Sequence, residues 1–149
     1  MQEECRNLYY NARRTAGLTQ ERWAEALGIS VESVRLYESG GNMPSDEIAL
    51  RMAEVAGQQI ICYWHLLQKS KAAARLLPQV DKKPLPESVL NLLVKLDDFQ
   101  HDGMQDLTRI AADGRVDAEE RKAYNYAMQQ LREVLAAGMC VEYAEEDIG

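Results

Sequence analysis

No stretch of the 149-residue chain approaches the roughly 20 consecutive apolar residues that a bilayer-spanning helix requires. The opening MQEECRNLYYNARR lacks the apolar centre of a secretory leader, so the chain is expected in the cytoplasm. Cysteine is scarce: Cys5, Cys62 and Cys140 are odd in number, far apart and without a CxxC pair. That excludes a disulfide framework and fits a reducing compartment. A basic excess is missing as well, because the net charge of −7 is the wrong sign for a generic nucleic-acid coat. There is no glycine-rich phosphate loop, and neither His65 nor His101 lies near a serine or cysteine nucleophile pattern, so no catalysis is expected. Cys62 and His65, three residues apart, would make only half of a four-ligand metal site; no metal or other cofactor is expected. Period-two alternation is absent, which leaves no candidate strand.

What is present is ordinary globular material with strong helical punctuation. Apolar residues make up 46% and charged residues 28% of the chain, which argues against wholesale disorder. Charge is uneven: residues 1–83 hold 11 basic and 10 acidic groups, residues 84–149 hold 6 and 14. A near-neutral first part and an acidic second part point to two parts with different jobs, the second repelling DNA. Gly17, Gly28, Gly40-Gly41 and Gly57 follow short helical patterns as C-terminal caps do, and Thr19, Ser30 and Ser45 precede the next patterns as N-caps. Helices are predicted over 5–16, 19–27, 30–38 and 45–56, with a long fifth helix over 58–77.

Pro78, Pro84 and Pro86 then mark residues 78–86 as a linker. Residues 87–138 read as an antiparallel helical hairpin turning at Asp113-Gly114. Val89, Leu93, Leu96, Gln100, Gly103, Leu107 and Ile110 form its first stripe, flanked by Leu92 and Phe99. Ala123, Ala127, Leu131 and Val134 form the second, on a helix over 117–137. Gly103 marks a kink or a close helix approach. Residues 139–149 read as a frayed acidic tail. Asp113–Glu120 matches the second half of a calcium-binding loop, but Arg109 and Ala111 occupy its first ligand positions and cannot coordinate. A turn with Asp117 capping the last helix is the expected reading.

The most informative segment is Leu18–Gly40. Two short helices meet through Gly28-Ile29-Ser30, with Ala24 small at the crossing and Ile29 and Val34 apolar beneath the turn. The pattern G-L-T-Q, x-x-W-A, L-G-I-S, x-x-S-V, Y-E-S-G and P-S, over residues 6–58, closely resembles the helix-turn-helix family of Cro and the lambdoid phage repressors, the XRE-like regulators. The resemblance implies an all-α fold: a five-helix lambda-repressor-like DNA-binding domain within 1–77, followed here by the C-terminal hairpin. It implies a base-reading helix over 30–38 and a dimer on a near-palindromic operator. Gln20 matches a phosphate contact at the start of the second helix. Ser30, Val31, Glu32, Ser33 and Leu36 match DNA-facing positions, with Arg35, Ser39 and Asn42 beside them. Arg13 and Glu38 match a structural ion pair between the first and third helices.

Departures from the family pattern are equally clear. Val31, Glu32 and Leu36 stand where Gln, Arg, Lys or Asn are common. Val31 suits a thymine methyl and Glu32 a cytosine amine. The loop Gly40–Met43 lacks the basic residue often found before P-S, so few phosphates are neutralised and salt dependence should be mild. The expected function is a sequence-specific DNA-binding transcriptional regulator, a bacterial or phage repressor acting as a homodimer or higher homo-oligomer through the C-terminal helices. The alternative is a protein-interaction module, antitoxin-like or anti-repressor, that keeps the fold with weak or no specific DNA binding.

Overall fold

The computed structural model describes residues 7–145. The helix end expected at residues 5–6, Cys5, and residues 146–149 of the expected tail lie outside these. The chain divides into two compact units, Met1–Leu77 and Pro78–Gly149. Among the described residues the regular structure is helical, with one isolated bridge between Pro84 and Glu145.

The first unit contains α1 (Leu8–Thr15), α2 (Gln20–Leu27), α3 (Val31–Ser39), α4 (Asp46–Ala56), α5 (Ile60–Lys69) and α6 (Lys71–Leu76). Apart from α5, their starts follow from side-chain capping. Asn7, Thr19, Ser30 and Ser45 each accept a backbone N–H from the third residue on, supplying a partner that the helix itself cannot provide. Helical spacing then turns one face of each helix inward. Tyr9 and Ala12 of α1, Trp23, Ala24 and Leu27 of α2, Val34 of α3, Met52 and Ala53 of α4 and Ile61 of α5 form one buried cluster. Trp23 at its centre is fully buried, and its truncation to Ala would cost about 3–5 kcal/mol.

A polar thread crosses this unit. His65 of α5 is buried, with Nδ1 2.9 Å from the Tyr9 hydroxyl and Nε2 3.1 Å from Asp46 Oδ1. The ionised Asp46 only accepts, so His65 Nε2 donates to it. Lys69 lies 2.6 Å from the same Asp46 oxygen. Lys69 first, and His65 second, hold the Asp46 carboxyl below the usual range. His65, which with Cys62 makes too few ligands for a metal site, is a hydrogen-bonded member of the interior.

The long fifth helix expected over 58–77 is two helices. Ser70 is extended (φ −114°, ψ 112°), and its hydroxyl accepts from Ala73 N at 3.1 Å. Serine competes for backbone hydrogen bonds better at a cap than inside a helix, so it ends α5 and starts α6.

The second unit contains α7 (Leu85–Asp98), a π-helical turn (Phe99–Gly103), α8 (Met104–Ile110) and α9 (Arg121–Glu142). The helix begins inside the expected linker: Pro86 sits in its first turn, where a missing N–H costs nothing. Asp117 Oδ1 accepts from the N–H groups of Glu119 and Glu120 at 2.8 Å, while Glu120 reaches back to Asp117 N at 3.3 Å. This reciprocal box caps the turn that leads into α9. The expected fraying from 139 is not seen through residue 145. Residues 139–142 are helical, and Glu145 exchanges backbone bonds with Lys83 and Leu85.

The stripe expected on α7 is displaced by one residue. Ser88 and Phe99 are buried, with Leu92 and Leu96 half-buried, whereas Val89 and Leu93 are exposed. The π-helical turn is the reason. It inserts one residue into the helical repeat, so the spacing that holds from Gly103 to Ile110 runs one residue late before Phe99. On α9 the buried side chains are Ala127, Gln130, Ala137 and Cys140, while Leu131 and Val134 are half-buried. Gly103 marks a close approach: an added Cβ would lie 2.7 Å from both Gln130 Oε1 and the Phe99 ring. Lys95 and Glu133 join α7 to α9 at 2.8 Å.

Candidate nucleic-acid interface

The turn between α2 and α3 is built from three local decisions. Gly28 is left-handed (φ 66°, ψ 35°), a conformation a side chain would strain. Its N–H returns to Glu25 O, and Ile29 N returns to Ala24 O, closing the carbonyl end of α2. Ser30 then starts α3 by accepting from Ser33 N at 3.1 Å. Arg51 of α4 secures the corner by donating to Leu27 O at 3.1 Å. Sequence reasoning missed Arg51; its only signal was the one basic residue on a helix whose other charged side chains are acidic.

With Val34 buried and Ile29 and Val31 packed partly on the core, the rest of α3 is turned outward. Ser30, Glu32, Arg35, Leu36 and Ser39 are exposed, and Ser33 is half-buried. Val31, expected to face DNA, thus divides itself between core and surface. The Ser30 and Ser33 hydroxyls lie 2.9 Å apart and are hydrogen-bonded to each other. Ser39 donates to Leu36 O at 3.1 Å, and Asn42 Oδ1 accepts from Met43 N at 2.9 Å. Both of these expected contact residues therefore shape the end of α3 and the exposed loop after it.

Behind this face lies a chain of polar contacts. Arg13 and Glu38 form a two-pronged pair at 2.5 and 3.1 Å, with side chains only 8% and 7% exposed. Arg13 also donates to Leu18 O at 2.8 Å and lies over the Tyr10 ring. Its hydrogen bond to Glu38, opposed by burial, holds the guanidinium even more firmly charged than usual. Gln20, the first residue of α2, donates to Glu38 Oε2 at 2.8 Å and presents its oxygen 3.5 Å from Arg35 Nε. Arg35 Nη1 is in turn 3.7 Å from Glu32 Oε2. The structure thus connects five of the expected residues, from the buried Arg13 through Glu38, Gln20 and Arg35 to the exposed Glu32.

The start of α2 borders a surface concavity of about 490 Å³ lined by Arg13, Arg14, Gly17, Leu18, Thr19, Gln20 and Glu21. Free N–H groups and the positive end of a helix favour an anion there. Glu21 already exploits this: a bond from its own backbone N–H, then the Thr19 hydroxyl, hold its carboxyl below the usual range. A phosphate approaching Gln20 would meet that carboxylate.

Residues 10–59 match the family model described as helix-turn-helix. No curated protein and no solved structure matches the chain.

Proposed function

We propose that this chain, whose residues 10–59 match a helix-turn-helix family model, is a sequence-specific transcriptional repressor that acts as a homo-oligomer. The observation that carries this reading is the outward face of α3, which presents Glu32, Arg35 and Leu36 while Val34 and Ile29 anchor the helix below. That geometry suits insertion in a major groove. Two copies would set their α3 helices about one DNA turn, roughly 34 Å, apart. Repression would follow from occupying operator DNA that polymerase needs.

The oligomer reading rests on the second unit. Val89, Leu90, Leu93 and Val94 of α7 and Leu135 of α9 are exposed, Leu90 by 65%. Ser88 Oγ and Gln130 Oε1 are buried without a partner within the protein, an arrangement that costs about 1–3 kcal/mol per group. A hairpin that hides polar atoms and shows leucines gains from a second copy over its leucines. Modest DNA contacts on each protomer would then be multiplied by avidity.

The test is selection from random duplexes followed by fluorescence anisotropy. A near-palindromic site should emerge, with affinity for it lost in Arg35→Ala. Leu90→Glu with Leu93→Glu should convert the oligomer to monomer in sedimentation and weaken binding to the full palindrome. Uniform, sequence-blind binding would instead favour the second reading, an interaction module such as an antitoxin-like or anti-repressor partner. That reading is supported by the pairing of surface bases within the first unit, Arg22 with Glu25 and Lys69 with Asp46. Each such pair leaves one fewer free cation for phosphates.

A further inference from the structure

Arg35 is the one side chain on the exposed face of α3 with a guanidinium, and its surroundings are unusual for a base reader. Its Nε faces Gln20 Oε1 at 3.5 Å, and its Nη1 faces Glu32 Oε2 at 3.7 Å. The orientation of Gln20 is set from behind. Its amide nitrogen must point at the Glu38 carboxylate, 2.8 Å away, so its oxygen points at Arg35. Arg13, bonded to both Glu38 oxygens, keeps that carboxylate in place. The Nε edge of Arg35 is therefore turned toward protein, and the remaining Nη donors are left for a guanine edge.

The contact to Glu32 is of another kind. It is long, and the two side chains are 58% and 71% exposed. Exposed pairs of this sort contribute about 0–1 kcal/mol, so Glu32 does not lock Arg35 away from a base. Nor can it leave, because it stands one helical turn before Arg35 on the same face. Wherever α3 carries Arg35 into the groove, the carboxylate of Glu32 goes too. It accepts only. Guanine N7 and O6 and thymine O4 are acceptors, and phosphates are anions. Adenine offers an amine next to the N7 acceptor, which suits an amide better than a carboxylate. Cytosine offers its N4 amine.

We propose that Glu32 is a specificity filter on Arg35: close binding is conditional on a cytosine amine beside the guanine that Arg35 reads. The filter acts through repulsion elsewhere as much as attraction at the right site. It rests on the DNA-binding reading above. It also predicts a gain where a contact residue is removed. Neutralising Glu32 should strengthen binding to wrong sequences, because a carboxylate no longer faces the acceptors of the wrong bases and the phosphates.

The experiment uses the full chain, its Glu32→Gln variant, the duplex selected by the wild type, single-pair variants of that duplex, and an unrelated duplex of equal length. Replacing the filtered C·G pair by T·A should weaken the wild type about 10-fold or more. The same change should weaken E32Q by less than about 3-fold. On the unrelated duplex, E32Q should bind several-fold more tightly than the wild type, with a salt slope steeper by up to about 0.9, one further phosphate contact. If the wild type is selective but E32Q keeps the same base preferences and binds unrelated DNA no more tightly, the filter is refuted and the regulator reading survives. If the wild type shows no sequence preference, both fall. Unchanged tryptophan fluorescence in E32Q controls for folding, since both tryptophans, Trp23 and Trp64, lie in the first unit.

Discussion

The Arg13–Glu38 pair is the interaction whose loss should be felt most in the first unit. Both side chains are more than nine-tenths buried, and the pair joins α1 to α3 with two hydrogen bonds. Removing one partner leaves the other charge desolvated. Glu38→Leu strands a guanidinium that keeps only Leu18 O and the Tyr10 ring; Arg13→Met strands a carboxylate that keeps only Gln20. A broken buried pair costs about 3–5 kcal/mol, and the lower end is expected here because each survivor retains a partner. Replacing both with apolar side chains removes both desolvation penalties, so the double variant should lose less than either single one. A double-mutant cycle would thus give a coupling energy of about 3 kcal/mol or more. Urea unfolding followed by tryptophan emission is the assay, and the placement of both tryptophans makes it report on this unit. Single variants costing under about 1 kcal/mol, or a double variant at the sum of the singles, would refute the reasoning.

Other outcomes follow from the same geometry. Gly103→Ala should destabilise the second unit despite the usual helical preference for alanine of about 1 kcal/mol, because its methyl meets Gln130 and Phe99 at 2.7 Å. Gly138→Ala, with nothing within 4 Å of its Cβ, should raise the melting temperature of that unit in circular dichroism. His101 should titrate above its ordinary value in NMR, because Nδ1 lies 2.9 Å from the Asp97 carbonyl and the Asp97 carboxylate adds a smaller effect. Asp97→Asn should therefore leave most of the upward shift, and a return to the ordinary value would contradict the ranking. Its stabilising contribution is complete below the unfolded value near 6.5 and fades as pH rises through the higher folded value. Gly28→Ala should cost about 1 kcal/mol or more, read by thermal unfolding, because φ is +66° at that residue.

The first unit was largely legible because its punctuation is local. Thr19, Ser30 and Ser45 cap helices with their own side chains, and Gly28, Gly40 and Gly57 end helices by their own backbone freedom. The exposed face of α3 followed from the same signals. Less legible were effects that depend on a third element. Ser70 looked like one polar residue in a helix until its hydroxyl found Ala73 N. Gln20 matched a phosphate contact, yet the structure spends its amide on Glu38 and Arg35, which no spacing rule foretells. In the second unit, helical periodicity is blind to one π-helical turn, and that blindness centred the stripe on Val89 and Leu93, left Leu92 and Phe99 at its flank and missed Ser88.

That turn gives the hairpin two phases along one helix, offset by a single residue. Deleting Gln100 would remove the inserted residue and let α7 run into α8 as one regular helix, with Ser88, Leu92 and Phe99 still turned toward α9. Val89, Leu90, Leu93 and Val94 would stay outside. The π-helical turn thus absorbs one residue without disturbing which side chains the helix buries, and the exposed leucines belong to the sequence of α7 itself rather than to the irregularity beside it.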